Sequence, residues 1–317
     1  MRAIVADHPV GEVLRHIGWS PCYHLAVNPR TFRAWVVAPV RVVKKVRRVL
    51  WRPSEVSQRR LKEFVEELRR RPLPSLPDAA PDTLTIVVSC FGHAAFVPDV
   101  FNSILAQTRP PDEVIYVDDH SPDATLEVLG ALIAAHPELA GGRVSLLRND
   151  RNMGQAASLN RGISMASGDL IMIVNDDDYL MHDAIESMLG FFGRHRDVAL
   201  IGAHSIYFSG NEELAAAPKL SSDYSPPGLP LVVHRPQDVP GYRNYNDLNM
   251  THSGSCFFKV AWEAVGGYQA VKAKRVVPFS DLDFQLRVNT VWPVAVAYET
   301  PLTLWREGSS VDAGINS

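Results

Sequence analysis

From residue 83 onward, short apolar runs alternate with segments whose apolar residues recur at helical spacing. The apolar runs predict strands at 83–90, 113–117, 144–147 and 170–174. The helical patterns predict helices at 97–107, 125–135 and 155–166. Strands and helices that alternate over short links form a parallel sheet with right-handed crossovers. The expected fold class is therefore α/β, with a Rossmann-like, mostly parallel central sheet flanked by helices.

Residues 1–81 have a different pattern and are predicted to be an N-terminal helical extension ahead of a main domain at 82–317. Between residues 40 and 52, valines and leucines recur at helical spacing while lysines and arginines fill the opposite side, which predicts a basic amphipathic helix. A second helix follows Ser54, a suitable N-terminal cap. Its apolar face consists of Leu61, Phe64, Val65 and Leu68. Four prolines between residues 72 and 81 then mark a linker.

The basic extension, 40–71, has three interpretations. A basic amphipathic helix can lie in the interface of an anionic membrane. It can equally dock on the protein's own body, or it can mediate self-association into a homo-oligomer. No nucleic-acid partner is expected, because the arginines have no aromatic stacking platform beside them.

Charge and cysteine content narrow the class of protein. The net charge of the 317 residues is −3, with about +9 on residues 1–81 and about −12 on the remainder. An acidic main domain needs a cation before it can hold a phosphorylated substrate. Cys22, Cys90 and Cys256 lack the spacing of a zinc site or a disulfide framework. With no apolar stretch long enough to span a bilayer and no secretory signal, we expect a cytoplasmic protein that can sit at the inner face of the membrane.

Two predicted strands end in carboxylates, which is the strongest chemical signal in the chain. The 170–174 run leads into Asp176-Asp177-Asp178, and the 113–117 run leads into Asp118-Asp119. Open α/β sheets bind ligands at the carboxyl ends of their strands. Adjacent carboxylates repel each other, so a hard divalent cation that also binds a diphosphate is the favoured occupant. The alternative is a solvated acidic turn that caps the next helix.

A series of motifs in order resembles family 2 glycosyltransferases of the GT-A fold. It covers about residues 84 to 311 and includes Ser89-Cys90-Phe91, Val117-Asp118-Asp119, Arg151-Asn152-Met153-Gly154, Asn160-Arg161-Gly162, the aspartate run, Val265-Gly266-Gly267-Tyr268, Ser280-Asp281-Leu282-Asp283 and Arg306-Glu307-Gly308. Each motif is weak alone, but their order and spacing are specific. The resemblance implies an inverting transfer from a nucleoside-diphosphate sugar.

The resemblance assigns nucleotide binding to the first half of the domain. Ser89 and Phe91 follow the first strand, and Phe91 can stack on a base where the family usually has Tyr. Asp119 can accept the imide N–H of uracil, or it can organise the turn with Ser121 and Thr125. Asn152 and Gly154 precede a helix, where they either contact the nucleotide or form a tight turn and cap.

Asp177 matches the family's metal-binding position, so the resemblance implies Mn²⁺ or Mg²⁺ as cofactor. Asp176 is expected against the ribose or the metal. Asn175 stands where the commoner family pattern has an acid, which leaves the full ligand set open.

In the second half of the domain, the resemblance makes Asp281 the catalytic base. Its alternative is an acid placed in a first helical turn for the helix dipole. Asp283 is predicted to be structural and to pair with Arg287, and Ser280 replaces a Glu common in the family. Arg306 resembles a residue of the family's C-terminal segment that folds over the diphosphate; otherwise it is a surface arginine. His93, His204 and His252 have no metal-ligand spacing and are predicted to be solvated or core residues.

Three functional hypotheses follow. The first is a metal-dependent inverting glycosyltransferase that moves a sugar, with UDP as the expected nucleotide, to a glycan or lipid-linked acceptor in cell-surface polysaccharide synthesis. The second is a sugar nucleotidyltransferase, disfavoured because no glycine- and arginine-rich phosphate loop follows the first strand. The third is a catalytically idle, nucleotide-sugar-binding scaffold subunit recruited to a membrane, which the departures at Asn175 and Ser280 keep open.

Overall fold

Nine strands join in one sheet within the described part of the chain. The computed structural model describes residues 55–68, 70, 72–136, 143–208, 231–236, 248, 250–271 and 274–306. The predicted basic helix at 40–52 lies outside these residues. The strands are β1 (Leu84–Cys90), β2 (Glu113–Asp118), β3 (Val144–Arg148), β4 (Leu170–Asn175), β5 (Tyr179–Leu180), β6 (Leu200–Phe208), β7 (Val232–His234), β8 (Cys256–Phe258) and β9 (Val294–Arg306).

Seven helices accompany the strands in the same described ranges. They are α1 (Glu55–Leu68), α2 (Val97–Leu105), α3 (Thr125–Ala135), α4 (Gln155–Met165), α5 (Ala184–Arg194), α6 (Lys259–Val265) and α7 (Ser280–Asn289). Every strand and helix predicted between residues 83 and 174 is present, with ends that differ by at most two residues. None of the described helices has the length and apolar character needed to cross a bilayer.

The first half of the sheet is the predicted parallel core. β1 lies between β2 and β4 and is parallel to both, and β3 adds to the outer edge of β2. All seven residues of β1 are buried, as expected for a strand covered by helices on both faces. Gly162 lets α4 approach closely, because a Cβ there would meet Val87 Cγ1 at 2.6 Å. The parallel arrangement brings the carboxyl ends of β1, β2 and β4 to one edge.

The second half of the sheet is mixed. β8 pairs antiparallel with both β4 and β6, while β6 and β9 run parallel to each other. β5 and β7 pair antiparallel with β9. The sheet therefore continues past the acidic strand β4. The apolar-run pattern of the sequence predicted no strands in this second half.

Helix α1 packs on the main domain. Leu61 and Leu68 on its predicted apolar face are fully buried or nearly so. Arg60 Nη1 donates to the carbonyl of Arg275 at 2.8 Å, and the Phe64 ring lies 5.6 Å from the guanidinium of Arg287. The helix thus contacts the segment that leads into α7. The boundary between an N-terminal extension at 1–81 and a main domain at 82–317 stays a prediction.

Candidate active site

Carboxylates from two strands meet at the edge where β1 ends. Cys90, the last residue of β1, is in register with Asp118 of β2, and Ser89 is in register with Asn175 of β4. The turn after β1 therefore runs between Asp119 and the aspartate run, as the two acidic strand ends predicted. Ser89 itself is 9% exposed and lies at the floor of this edge.

Asp119 organises the loop that precedes α4. Its buried carboxylate accepts hydrogen bonds from the Asn149 amide and from the backbone N–H groups of Met153 and Gly154, each at 2.7 Å. Asn152 is exposed, and its side-chain oxygen accepts a second contact from Gly154 N at 3.1 Å. Gly154 has φ +83°, a conformation that a side chain would strain. The loop is thus a tight turn and cap built around Asp119.

The neighbouring turn is held by other acids. Asp118 accepts from Ser121 N at 3.3 Å, and Asp123 accepts from Thr125 N at 3.1 Å. The alternative that Asp119 organises the turn with Ser121 and Thr125 was wrong in its partners, because Asp119 points to the 149–154 loop instead. Three of about four acceptor positions of the Asp119 carboxylate are used.

The turn after β1 contacts the aspartate run directly. Phe91 is half-buried, and its backbone N–H donates to Asp176 Oδ2 at 2.9 Å. The His93 Nδ1 atom lies 2.8 Å from Asp176 Oδ1. One carboxylate thus ties two residues of the β1 turn to β4.

His93 is a candidate site residue, although the sequence predicted a solvated or core histidine. Ligand atoms of His93, Asp176 and Asp177 all lie within 4.8 Å of one another, the arrangement of a candidate cation site. Spacing along the chain could not reveal it, because 83 residues separate His93 from Asp176. The available signal was its position, three residues after a strand that ends at the acidic edge.

Burial makes the aspartate run costly to ionise. Burial raises the pKa of Asp176, and the charge of Asp177 adds to the rise, while the contacts with His93 and Phe91 N oppose it. Burial, together with Asp177, raises the pKa of Asp178 to about 7. A cation beside Asp176 and Asp177 would offset this repulsion.

Asp178 links the aspartate run to the second half of the sheet. It accepts from Asn175 Nδ2 at 3.0 Å and from Arg306 N at 3.3 Å, and it is also hydrogen-bonded to the side chain of Ser253. The Ser253 hydroxyl in turn accepts from Asn175 N at 3.1 Å. Asn175, where the family commonly has an acid, therefore has a structural role in this chain.

The Arg306 side chain is fixed by several contacts and is only 11% exposed, so the alternative of a surface arginine was wrong. Its Nε donates to the Asp177 carbonyl at 3.0 Å, and its Nη2 pairs with Asp99 at 2.6 Å. The guanidinium lies 4.5 Å from the centroid of the Phe96 ring and 4.6 Å from that of the Phe208 ring. Arg306 therefore brings a positive charge to the backbone of the aspartate run.

Asp281 is half-buried in the first turn of α7. It is close enough to Tyr268 that burial of the phenol and, after it, the Asp281 charge raise the Tyr268 pKa well above its usual value. Tyr268 stacks on Phe284 with centroids 4.5 Å apart, and its hydroxyl lies 3.1 Å from His252 Nε2. The predicted base thus has an aromatic and imidazole neighbourhood.

Buried polar contacts fix α7. Asp283 and Arg287 form the predicted pair, with 2.9 Å between Nη2 and Oδ2 and both side chains at most 2% exposed. Arg287 also donates to the carbonyls of Val265 and Gly267 at 2.7 and 2.6 Å. The prediction that Asp283 pairs with Arg287 is confirmed.

Asn160 connects the two halves. Its side chain makes two hydrogen bonds with the backbone of Tyr268, donating to the carbonyl at 2.7 Å and accepting from the N–H at 2.9 Å. The α4 helix that begins after the Asp119 loop thereby holds the segment that leads to Asp281.

Comparisons with known proteins agree with this architecture. The family model described as "Glycosyl transferase family 2" matches residues 85–258. The succinoglycan biosynthesis protein ExoO of Rhizobium meliloti (strain 1021) is 33% identical over 156 residues, which is 47% of this chain and 42% of that protein. The glycosyltransferase GlyG of Streptococcus pneumoniae serotype 4 is 31% identical over 107 residues, 34% of each chain. The matches thus span less than half the length of these relatives.

Among solved structures, residues 1–349 of S. aureus TarS in complex with UDP match with a TM-score of 0.52 at 14% identity, over 71% of this chain and 60% of that chain. The complex of the same protein with UDP-GlcNAc gives a TM-score of 0.51. At this identity the likeness establishes the fold.

Proposed function

Because this chain belongs to glycosyl transferase family 2, we propose that it is a metal-dependent inverting glycosyltransferase of polysaccharide synthesis. It takes a sugar from a nucleoside diphosphate, with UDP the favoured nucleotide, and transfers it to a hydroxyl of a glycan or lipid-linked acceptor. The observation that carries the proposal is the grouping of His93, Asp176 and Asp177 at the strand edge that also carries the Asp119 loop. The similarity to a succinoglycan biosynthesis protein supports the polysaccharide context.

We assign the cation site to Asp177, Asp176 and His93. Two carboxylates and one imidazole can ligate Mn²⁺, and the imidazole makes Mn²⁺ a better match than Mg²⁺, which prefers oxygen ligands. When bound, such an ion neutralises the diphosphate leaving group. Arg306, held against the Asp177 carbonyl, adds a second positive charge on the diphosphate side if it exchanges its pairing with Asp99.

Base recognition falls to Asp119 and Phe91. Asp119 retains one acceptor position after its three hydrogen bonds, and a uracil imide N–H can donate to it. Phe91 supplies a flat ring at the start of the same turn. Because cytosine lacks the imide N–H, UDP and CDP form a matched pair that isolates this contact.

Asp281 takes the proton from the acceptor hydroxyl as the oxygen attacks the anomeric carbon opposite the diphosphate. A single carboxylate with no nucleophile on the other face leads to inversion. Tyr268 lies beside this base, and His252 contacts the Tyr268 hydroxyl.

Titration calorimetry with the full chain tests the proposal. UDP should bind with Mn²⁺ present and lose most of its affinity with EDTA, and CDP should bind about tenfold more weakly than UDP, as expected for one lost hydrogen bond to a charged group. Absence of binding by every nucleoside diphosphate in the presence of Mn²⁺ or Mg²⁺ would overturn the proposal.

A further inference from the structure

Two exposed aromatic residues lie beside the candidate active site. Tyr207 of β6 and Trp305 of β9 are directly opposite each other in the sheet. Their rings are 4.8 Å apart at an interplanar angle of 63°, and the two residues are 48% and 39% exposed. This aromatic pair contributes little to the core, and exposed apolar side chains next to a site often mark a ligand contact.

The aromatic pair is continuous with the acidic edge. Trp305 immediately precedes Arg306, whose backbone N–H donates to Asp178, while the side chains of the two residues point to opposite faces of β9. Strand alternation places Trp305 on the same face as Thr303, about 7 Å back along β9. Thr303 Oγ1 contacts Ser253 O at 3.5 Å, in the segment whose serine is bonded to the aspartate run.

The same face leads toward the proposed base. Ser205, two residues before Tyr207, is bonded through its hydroxyl to Thr251 at 3.1 Å. Thr251 precedes His252, which contacts Tyr268 beside Asp281. The aromatic pair therefore lies two strand positions from residues that contact the 251–253 segment. That segment in turn contacts both the aspartate run and Tyr268 beside Asp281.

We propose that Tyr207 and Trp305 form a subsite for a neutral pyranose ring of the acceptor glycan. The C–H groups on one face of a pyranose pack against flat rings, while the phenol and indole edges can bond its hydroxyls. A protein partner is a poorer occupant, because two part-exposed side chains offer far less than the roughly 800 Å² that each partner of a stable complex buries. This inference rests on the proposed transferase function.

The experiment uses the full chain labelled with fluorotryptophan and saturated with UDP and Mn²⁺. Fluorine NMR follows its six tryptophans during titration with neutral tetrasaccharides of glucose, galactose and mannose. The Trp305 resonance is identified by its loss in Trp305→Phe. It should shift with at least one tetrasaccharide, and Tyr207→Ala should weaken that binding about threefold to tenfold. Met165→Ala, at a residue that is 55% exposed at the C-terminal end of α4, should leave the tetrasaccharide affinity unchanged.

Two results would overturn the subsite. One is a Trp305 resonance that moves with none of the tetrasaccharides. The other is self-association that disappears in Trp305→Ala, which would make a second copy the occupant. Absence of UDP binding by the unsubstituted protein would instead count against the proposed function. A failure of the subsite can therefore be distinguished from a failure of the proposed function.

Discussion

Just after β2, Asp119 is fixed by donors from one loop, 149–154, whereas Asp281 stands on a helix fixed by a buried ion pair and by carbonyls of the turn at 265–267. Asp119 receives two of its three hydrogen bonds from backbone N–H groups. Helix α7 depends on Arg287, which reaches carbonyls 20 and 22 residues earlier in the chain. The nucleotide side is thus built mainly by backbone N–H groups of one loop, and the acceptor side by a buried ion pair whose arginine also binds two backbone carbonyls.

Substitutions on the nucleotide side and on the acceptor side should therefore have different effects. A change in the nucleotide side alters ligand affinity while the fold persists, because the sheet core does not depend on the loop. A change in the supports of α7 reduces the stability of the domain, because a buried ion pair loses a partner. The following substitutions test that separation.

The largest expected effect is on catalysis, from Asp281→Asn. The amide cannot accept the acceptor proton, so the transfer rate should fall by about 10²–10⁴-fold. UDP binding with Mn²⁺, measured by calorimetry, should stay within about twofold of the unsubstituted protein, since Asp281 is proposed to serve the acceptor side. Transfer at a near-normal rate would show that another group is the base.

Arg287→Met should cause the largest loss of stability. It leaves Asp283 charged and buried without its partner, which typically costs about 3–5 kcal/mol. The measurement is denaturant unfolding. Arg235→Met is the matched control, because the Arg235–Asp197 pair is 3.5 Å long with side chains 74% and 58% exposed, and such exposed pairs contribute about 0–1 kcal/mol. Equal losses in the two variants would contradict the support of α7 by a buried ion pair.

Asp119→Asn should reduce ligand affinity while the domain stays folded, the reverse of the effect expected for Arg287→Met. The amide has one acceptor atom for three donors and cannot reproduce the charge, so UDP affinity should fall about tenfold or more. Asp150→Asn removes the same charge from an exposed residue of the same loop and should leave UDP affinity unchanged. If both variants bind UDP equally, only net charge matters at this edge.

His93→Ala tests the cation site itself. Loss of one of three ligands should weaken Mn²⁺ binding about tenfold, which electron paramagnetic resonance measures directly as free Mn²⁺. His136→Ala is a control in the same half of the chain, because His136 follows α3 and its ring lies 5.5 Å from the Phe101 ring instead. Unchanged Mn²⁺ affinity in His93→Ala would limit the site to the two aspartates.

Sequence prediction succeeded where the signal is local in the chain, on either side of the site, and failed where a contact depends on strand pairing. The apolar runs of β1, β2 and β4 and the acids at their ends are local signals, so the parallel core and the acidic edge were predictable. The Asp283–Arg287 pair was also predictable, because four residues in a helix make one turn. His93 beside Asp176 and the aromatic pair of Tyr207 and Trp305 depend on which strands become neighbours, which no spacing within the chain specifies.

Phe64→Leu has the smallest expected effect and tests how far the acceptor side extends. The substitution keeps an apolar side chain on α1 but removes the ring face 5.6 Å from the Arg287 guanidinium, a loss of about 0.5–1 kcal/mol. In the Arg287→Met background the ring has no cation to face, so the same substitution should cost less, and a double-mutant cycle measures the difference. A coupling energy of zero would mean that α1 contacts the main domain without supporting α7. A nonzero coupling of the expected sign, with a smaller cost in the Arg287→Met background, would make part of the N-terminal extension a structural component of the side that carries Asp281.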